Sequence, residues 1–232
     1  MAELSKNKRG LTIKIVYYGP ALSGKTTNLI HLHESLERGD CGDLMSFETR
    51  GDRTLFFDLL PLKIRGADGM GVKIKLFTVP GQVAHDATRK AVLSRSDGVV
   101  FVADSQATQM INNYESFENL EKNVARVGMD IETLPLVIQF NKRDLKNAVG
   151  REEIMARWQP SGLPVLFSSA LYGRGVRRTF ETILEETHKR LDRQYGLTER
   201  YGLNRHEFVA RPFCSSGSKD ASNAGAFGSE VA

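Results

Sequence analysis

An eight-residue stretch, GPALSGKT at positions 19–26, restricts the range of folds open to this chain. It follows LTIKIVYY (11–18), whose alternating β-branched residues predict a strand. It precedes a segment from Lys25 to Glu37 in which leucines recur at helical spacing. A glycine-rich loop between a strand and a helix points its backbone N–H groups at anionic oxygens. The stretch therefore predicts a phosphate-binding loop within an α/β fold.

Strand-like and helix-like segments alternate along most of the chain, which is typical of a sheet covered by helices. Nearly continuous apolar runs predict buried strands at 98–104, 134–140 and 163–169, and a hairpin is expected at 62–66 and 72–79. Helices are expected near 86–95, 107–127, 150–158 and 175–194. We therefore predict the P-loop NTPase class of α/β folds, with a mostly parallel six-stranded sheet flanked by helices and one antiparallel strand.

The length of 232 residues suits one such domain and is too short for two. We expect an N-terminal extension over 1–10 and a globular domain over 11–195. The last segment, 196–232, is rich in small polar residues, which predicts a flexible tail.

The chain has no apolar run near the ~20 residues that cross a bilayer. Its net charge of +4 is scattered among acidic residues. These features predict a cytoplasmic protein with no nucleic-acid partner and no integral membrane association. A contact of the basic stretch 174–193 with nucleic acid or anionic lipid is the less favoured alternative.

The phosphate loop also predicts a metal site. Lys25 is expected to reach the β- and γ-phosphates, and the Thr26 hydroxyl is expected to bind Mg²⁺. The predicted nucleotide contacts from this loop are Gly19, Ala21, Leu22, Ser23, Gly24, Lys25, Thr26 and Thr27.

A second motif, NKRD at 141–144, follows a predicted strand on the same edge of the sheet. The Asp144 carboxylate can accept from N1–H and the 2-amino group of guanine, a donor pair that adenine lacks. Asn141 is expected to bond the opposite edge of the base, and the stem of Lys142 to lie against the ring. The motif therefore favours GTP and GDP over adenine nucleotides.

A weaker motif, SSA at 168–170, follows another predicted strand. The Ala170 N–H is expected to donate to guanine O6, with Ser169 beside it. A cap of the next turn is the alternative role for Ser168 and Ser169.

These motifs, in this order, resemble those of Ras-like small GTPases. The segments GDRTLFFDLLPL (51–62), TVPGQVAHDATRKAVLSRSDGVVFVADSQ (78–106) and VIQFNKRDL (137–145) resemble the bacterial MglA family of gliding-motility and cell-polarity GTPases. The resemblance implies a Ras-like G domain, a GDP/GTP switch with slow hydrolysis, and a roadblock-type activating partner called MglB. It also implies polarity or motility effectors and recruitment to a cell pole or the membrane surface by partners.

The resemblance assigns roles to four further residues. Gln82 matches the glutamine that orients the attacking water, and Arg53 matches a built-in arginine finger. Thr54 matches the threonine that closes on Mg²⁺, and Gly81 is expected to offer its N–H to the γ-phosphate. The alternatives are that Arg53 is a surface cation paired with a nearby acid and that Gln82 is an ordinary exposed side chain.

Two positions depart from the usual Ras-like pattern. Ala21 replaces a glycine of the loop, and its methyl is expected to crowd Gln82 and slow hydrolysis. Thr78 replaces an aspartate and is expected to reach Mg²⁺ through a water, with weaker metal affinity. MglA-like proteins share this threonine, so it marks the group.

Three functions are therefore weighed. The favoured one is a GTP switch whose loops at about 45–60 and 80–90 are read by a partner. The alternative is a GTP-locked scaffold that hardly hydrolyses its nucleotide. A P-loop kinase or ATPase is less favoured because it has no use for NKRD.

Overall fold

A sheet of eight strands forms the centre of the computed structural model, which describes residues 2–4, 10–36, 42–47, 57–65, 71–81 and 86–210. The strands run in the spatial order β3-β4-β5-β2-β6-β7-β8, and β1 pairs with β2. Their bounds are β1 (Glu3–Leu4), β2 (Gly10–Tyr18), β3 (Met45–Phe47), β4 (Phe57–Arg65), β5 (Gly71–Thr78), β6 (Gly98–Asp104), β7 (Leu136–Asn141) and β8 (Val165–Phe167).

Five of these strands, β5, β2, β6, β7 and β8, are parallel, and β4 pairs antiparallel with β5. The predicted mostly parallel six-stranded sheet with one antiparallel strand is therefore confirmed. The short antiparallel strands β1 and β3 were not predicted from the sequence. A strand of two or three residues is too short to show a period of its own, so its pairing partner specifies it.

Helices cover both faces of the sheet. They are α1 (Lys25–Ser35), α2 (Asp86–Leu93), α3 (Met110–Arg126), α4 (Arg151–Trp158), α5 (Val176–Tyr195), α6 (Leu197–Tyr201) and α7 (Arg205–Ala210). The predicted helix 107–127 starts as a 3-10 turn at 107–109. Among the described residues, no helix combines the length and the apolar character that crossing a membrane requires.

The alternation of β2 divides the core into two layers. Ile13, Ile15 and Tyr17 pack in the layer that contains α1 and α5. Val16 and Tyr18 pack in the layer that contains α2, α3 and α4. Because β2 is buried on both faces, its carboxyl end is held in place between two cores, and the phosphate loop starts from that fixed point.

The predicted flexible tail is wrong for its first part, residues 196–210. There the chain forms α6 and α7, and Leu197, Leu203 and Phe208 are fully buried against α5. The His188 ring also lies 2.8 Å from the Leu203 carbonyl oxygen, a hydrogen bond that fixes the turn between the two short helices. Three buried apolar residues in a polar segment suffice to hold it against α5, although they give no clear helical period. Residues 211–232 lie outside the described part of the chain.

The segment predicted as an N-terminal extension, 1–10, also contributes to the fold. It supplies β1 and the first residue of β2. Ala2 is buried, and its carbonyl accepts a hydrogen bond from the Tyr195 hydroxyl at 3.2 Å.

Candidate nucleotide-binding site

The phosphate loop joins the end of β2 to the start of α1, and two of its glycines have backbone angles that disfavour any other residue. Gly19 has φ +144, and a Cβ there would lie 2.2 Å from the Val102 carbonyl oxygen. Gly24 has φ +96, and a Cβ there would lie 2.2 Å from Asn141 Nδ2. Leu22 adopts φ 60 without being glycine, and its side chain is exposed. The loop is thus a tight backbone cradle.

Lys25 occupies the inside of this cradle. It is buried, and its Nζ donates to the carbonyl oxygens of Gly19 at 3.0 Å and Pro20 at 2.6 Å. Thr26 lies exposed in the first turn of α1, and that turn carries no acidic side chain that would repel an anion. The backbone cradle, the ammonium and the hydroxyl fit the phosphates and the Mg²⁺ of a bound GTP or GDP.

Asn141 connects the phosphate loop to the SSA loop. It is buried at the end of β7, and its Nδ2 donates to the Ser23 carbonyl oxygen at 2.9 Å. Its Oδ1 accepts from Ser168 Oγ at 3.0 Å and from the Ala170 backbone N at 2.8 Å. One side chain therefore holds the predicted phosphate and base loops at a fixed distance.

These contacts involve two residues that were expected to meet the base, and the base contacts of Asn141 and Ala170 stay predictions. The Ala170 N–H, expected to donate to guanine O6, donates to Asn141 Oδ1. Asn141, expected to bond the base edge, spends its oxygen and one N–H on the two loops. A buried amide satisfies its own polar groups first, and the neighbouring loops lie within reach.

Lys142 and Asp144 lie at the predicted base site. Lys142 has φ 65, and its Nζ lies 2.6 Å from Asp104 Oδ2. The Asp144 side chain is exposed and makes no hydrogen bond or ion pair with other described residues, so its carboxylate is accessible to a ligand. Asp104 was not predicted from the sequence as the partner of Lys142. Its position at the end of the neighbouring strand β6 was the available signal.

Gly81, at the start of the loop predicted at about 80–90 to be read by a partner, lies close to the phosphate loop. A Cβ at Gly81 would lie 2.3 Å from the backbone N and Cα of Ala21. A cavity of about 480 Å³ opens beside this contact, and Arg89 of α2 contributes to its wall. The cavity is also lined by Pro20, Ala21, Gly81, Asn112, Glu115, Ser116 and Asn119.

Thr78 ends β5 and is buried, opposite Tyr17 in the sheet register. The three residues that the resemblance places in catalysis and metal binding, Arg53, Thr54 and Gln82, lie outside the described part of the chain. Their assignments stay predictions.

A polar cluster that was not predicted from the sequence anchors α2 to α3. Asp86, the first residue of α2, accepts from Asn123 Nδ2 at 2.8 Å and Asn119 Nδ2 at 3.3 Å. Tyr18, the last residue before the phosphate loop, donates to Asn119 Oδ1 at 2.5 Å. Burial raises the pKa of Asp86, but the hydrogen bonds from Asn123, Asn119 and Lys90 together with the Lys90 charge outweigh it and lower that pKa to about 2. The start of α2 is therefore held by a carboxylate that is ionised at neutral pH.

Comparison with known proteins agrees with this geometry. Residues 14–189 match the Ras family. The mutual gliding-motility protein MglA of Myxococcus xanthus (strain DK1622) is 46% identical over 183 residues, which cover 79% of this chain and 94% of that protein. The Ras-related protein Rab2BV of Beta vulgaris is 27% identical over 124 residues, which cover 52% of this chain and 55% of that protein. The chain is therefore a Ras-like small GTPase, and within that family it belongs with the MglA proteins.

Proposed function

We propose that this chain is a GTP-binding molecular switch that controls cell polarity or gliding motility through nucleotide-dependent partner binding. In this proposal it binds GTP and GDP with Mg²⁺ and hydrolyses GTP slowly. The observation that carries the proposal is the position of Asn141 between the phosphate loop and the SSA loop. A ligand that fills both loops at once has phosphates at one end and a base at the other. The similarity to a protein named for gliding motility supports the biological part.

Different residues bind the phosphates and the base of the nucleotide. The Lys25 ammonium exchanges its two loop carbonyls for phosphate oxygens when a nucleotide enters, because an anion is the stronger acceptor. The Asp144 carboxylate reads the base, and the pair between Lys142 and Asp104 holds the NKRD loop in position. Thr26 and Thr54, with Thr78 through a water, would hold a divalent cation, which would neutralise charge on the phosphates.

Hydrolysis is assigned to residues of both predicted switch segments, at about 45–60 and 80–90. Gln82 orients the attacking water, Arg53 stabilises charge in the transition state, and Gly81 offers its N–H to the γ-phosphate. The contact between Gly81 and Ala21 supports this assignment, because it brings the residue before Gln82 to the phosphate loop. Slow turnover is part of the proposal because Ala21 carries a methyl where Ras-like loops favour glycine, and that methyl is expected to crowd Gln82.

The partners we propose are a roadblock-type activating protein similar to MglB and effectors of polarity or motility. They would read the switch segments at about 45–60 and 80–90, whose order depends on the γ-phosphate in switch proteins of this kind. The proposed location is the cytoplasm, with recruitment to a cell pole or the membrane surface by those partners.

The test of the core proposal is the identity of the nucleotide that copurifies with the protein. The full chain is purified, denatured and analysed by chromatography against guanine and adenine standards. We expect GDP or GTP, and GTP is expected to displace the bound nucleotide where ATP does not. Bound ATP, or a chain that binds no nucleotide, would overturn the proposal.

The GTP-locked scaffold remains the second candidate because Ala21 lies against the second switch. Single-turnover hydrolysis with and without a roadblock-type protein separates the two. A switch is stimulated by the partner, and Ala21→Gly is expected to speed its turnover. An Ala21→Gly rate equal to or below wild type would show that the methyl is not the obstacle, and no stimulation by the partner would favour the scaffold.

A further inference from the structure

Gln139 is a polar residue in the middle of the apolar strand β7. It is fully buried, and its Nε2 donates to Asn28 Oδ1 at 2.9 Å and to Thr179 Oγ1 at 2.8 Å. Its Oε1 has no hydrogen-bond partner among the described residues. A buried acceptor without a partner is unfavourable, so an apolar residue would suit the strand better. Packing of the core therefore does not explain why this position is a glutamine.

One end of its contacts leads to the phosphate loop. Asn28 Nδ2 donates to the Gly24 carbonyl oxygen at 2.9 Å, and the Asn28 backbone N donates to the same oxygen at 3.1 Å. Because the Asn28 nitrogen faces Gly24, its oxygen is the atom that faces Gln139. Gln139 thus fixes the side chain that holds the last glycine of the loop.

The other end of its contacts leads to the base loop, which is the SSA loop at 168–170. Thr179 Oγ1 donates to the Gly175 carbonyl oxygen at 2.9 Å, which leaves it free to accept from Gln139. Gly175 lies directly against the backbone of the loop that Asn141 contacts, since a Cβ there would lie 2.4 Å from the Phe167 carbonyl oxygen. A path of four hydrogen bonds therefore runs from Gly24 to Gly175, and the backbone of Gly175 packs against the end of β8, where the SSA loop begins.

This path repeats the arrangement made by Asn141. The two residues are two positions apart on β7, so their side chains leave the same face of the sheet. Each one connects the phosphate-loop side to the SSA-loop side. Asn141 does so at the carboxyl end of β7, and Gln139 does so two residues earlier in the strand.

We propose that Gln139 is a positioning residue for nucleotide binding: acting through Asn28 and Thr179, it holds the phosphate loop and the base loop at the spacing that one guanine nucleotide requires. The proposal rests on the guanine-nucleotide function proposed above. Under this proposal Gln139 increases nucleotide affinity without increasing the stability of the fold, because its Oε1 remains an unpaired acceptor in the core.

The experiment measures release of GDP that carries a fluorescent N-methylanthraniloyl label from the full-length chain. We expect Gln139→Leu to release the labelled GDP about tenfold faster than wild type. A factor of about ten corresponds to the net free energy of one or two hydrogen bonds. Asn28→Leu should have a similar effect, and the double variant should be no faster than either single variant, because both changes break one path.

Ile138→Val is the matched control, since Ile138 is equally buried in the same strand but packs in the opposite layer. It should leave the release rate within about twofold of wild type while lowering the melting temperature by a few degrees. Gln139→Leu should melt no lower than this control.

Three results would overturn the proposal: a Gln139→Leu rate within about twofold of wild type, single effects that multiply in the double variant, or faster release that accompanies a melting temperature well below the control. Failure of the underlying function has a different signature, because wild type would then not bind the labelled GDP, and the proposal would fall with it.

Discussion

Replacing Asn141 with alanine tests whether the phosphate and base loops act as one site. The side chain makes three hydrogen bonds, of 2.9, 3.0 and 2.8 Å, and all three join loops that are far apart in sequence. Alanine removes all of them and leaves the Ser23 carbonyl, the Ser168 hydroxyl and the Ala170 N–H without this partner.

The expected loss of GDP affinity follows from the number of hydrogen bonds that the variant lacks. A buried hydrogen bond contributes about 1 kcal/mol net, so the three together correspond to about 3 kcal/mol. If the nucleotide has to restore the loop spacing on binding, that free energy appears as a GDP affinity roughly a hundredfold weaker.

The assay is titration calorimetry with GDP on the full chain, with the melting temperature recorded for each variant. Asn123→Ala is the matched control, because Asn123 is also buried and its Nδ2 lies within hydrogen-bond distance of three oxygens, but it belongs to α3 and not to the two loops. We expect similar losses of melting temperature and a loss of GDP affinity for Asn141→Ala alone. An affinity within about threefold of wild type would refute the reasoning, since the bonds would then contribute to folding only.

Three further predictions concern single positions. Gly24→Ala places a Cβ 2.2 Å from Asn141 Nδ2 and should abolish GDP binding, whereas Gly162→Ala, at φ +68 with open space around it, should lower the free energy of unfolding by about 1 kcal/mol and leave binding intact. The pKa of Asp86 is lowered from 3.8 to about 2, so its carboxylate stabilises the fold above pH 3.8, and this contribution is lost as the pH falls towards 2. Because Asp86 is partly exposed, Asp86→Asn should lower the free energy of unfolding by only about 1 kcal/mol at pH 7 and flatten the acid limb of the stability curve, and an unchanged limb would contradict this. Thr78→Asp should tighten Mg²⁺ binding in a titration followed by nucleotide release, and identical curves would count against an outer contact at this position.

Local pattern was sufficient for the parts of the site that are contiguous in sequence. The phosphate loop needs glycines at two positions where a Cβ would clash, and the Gly-Lys-Thr end of the loop forms the first turn of α1. The NKRD motif was placed on the same edge because parallel strands bring their carboxyl ends together. Neither inference required knowledge of long-range contacts.

The contacts that hold the site together were not predictable in the same way. Asn141 meets Ser23 across 118 residues, and Gln139 meets Asn28 across 111 residues. Each contact depends on where β7 lies relative to α1, and a shift of one residue in β7 would turn both side chains to the other face. The sequence contains these residues but no local signal that pairs them.

The ends of the chain show the same difference. A polar composition after residue 195 suggested a tail, because composition measures an average over many residues. Leu197, Leu203 and Phe208 nevertheless bury themselves, since the surface of α5 offers them an apolar site. Whether a few apolar residues order a segment depends on the surface beside them, and that surface exists only after folding.

The amino-acid pattern was thus enough to predict the alternation of strands and helices and the phosphate loop, because each depends on residues that are neighbours in the chain. The proposed preference for guanine likewise depends on residues that share one sheet edge. Folding added the spacing of the two loops, held by Asn141 and Gln139, and the anchoring of α2 by Asp86. These features arise from side-chain hydrogen bonds between distant segments, and the strength of such bonds depends on distances of a few tenths of an ångström that the folded chain alone provides.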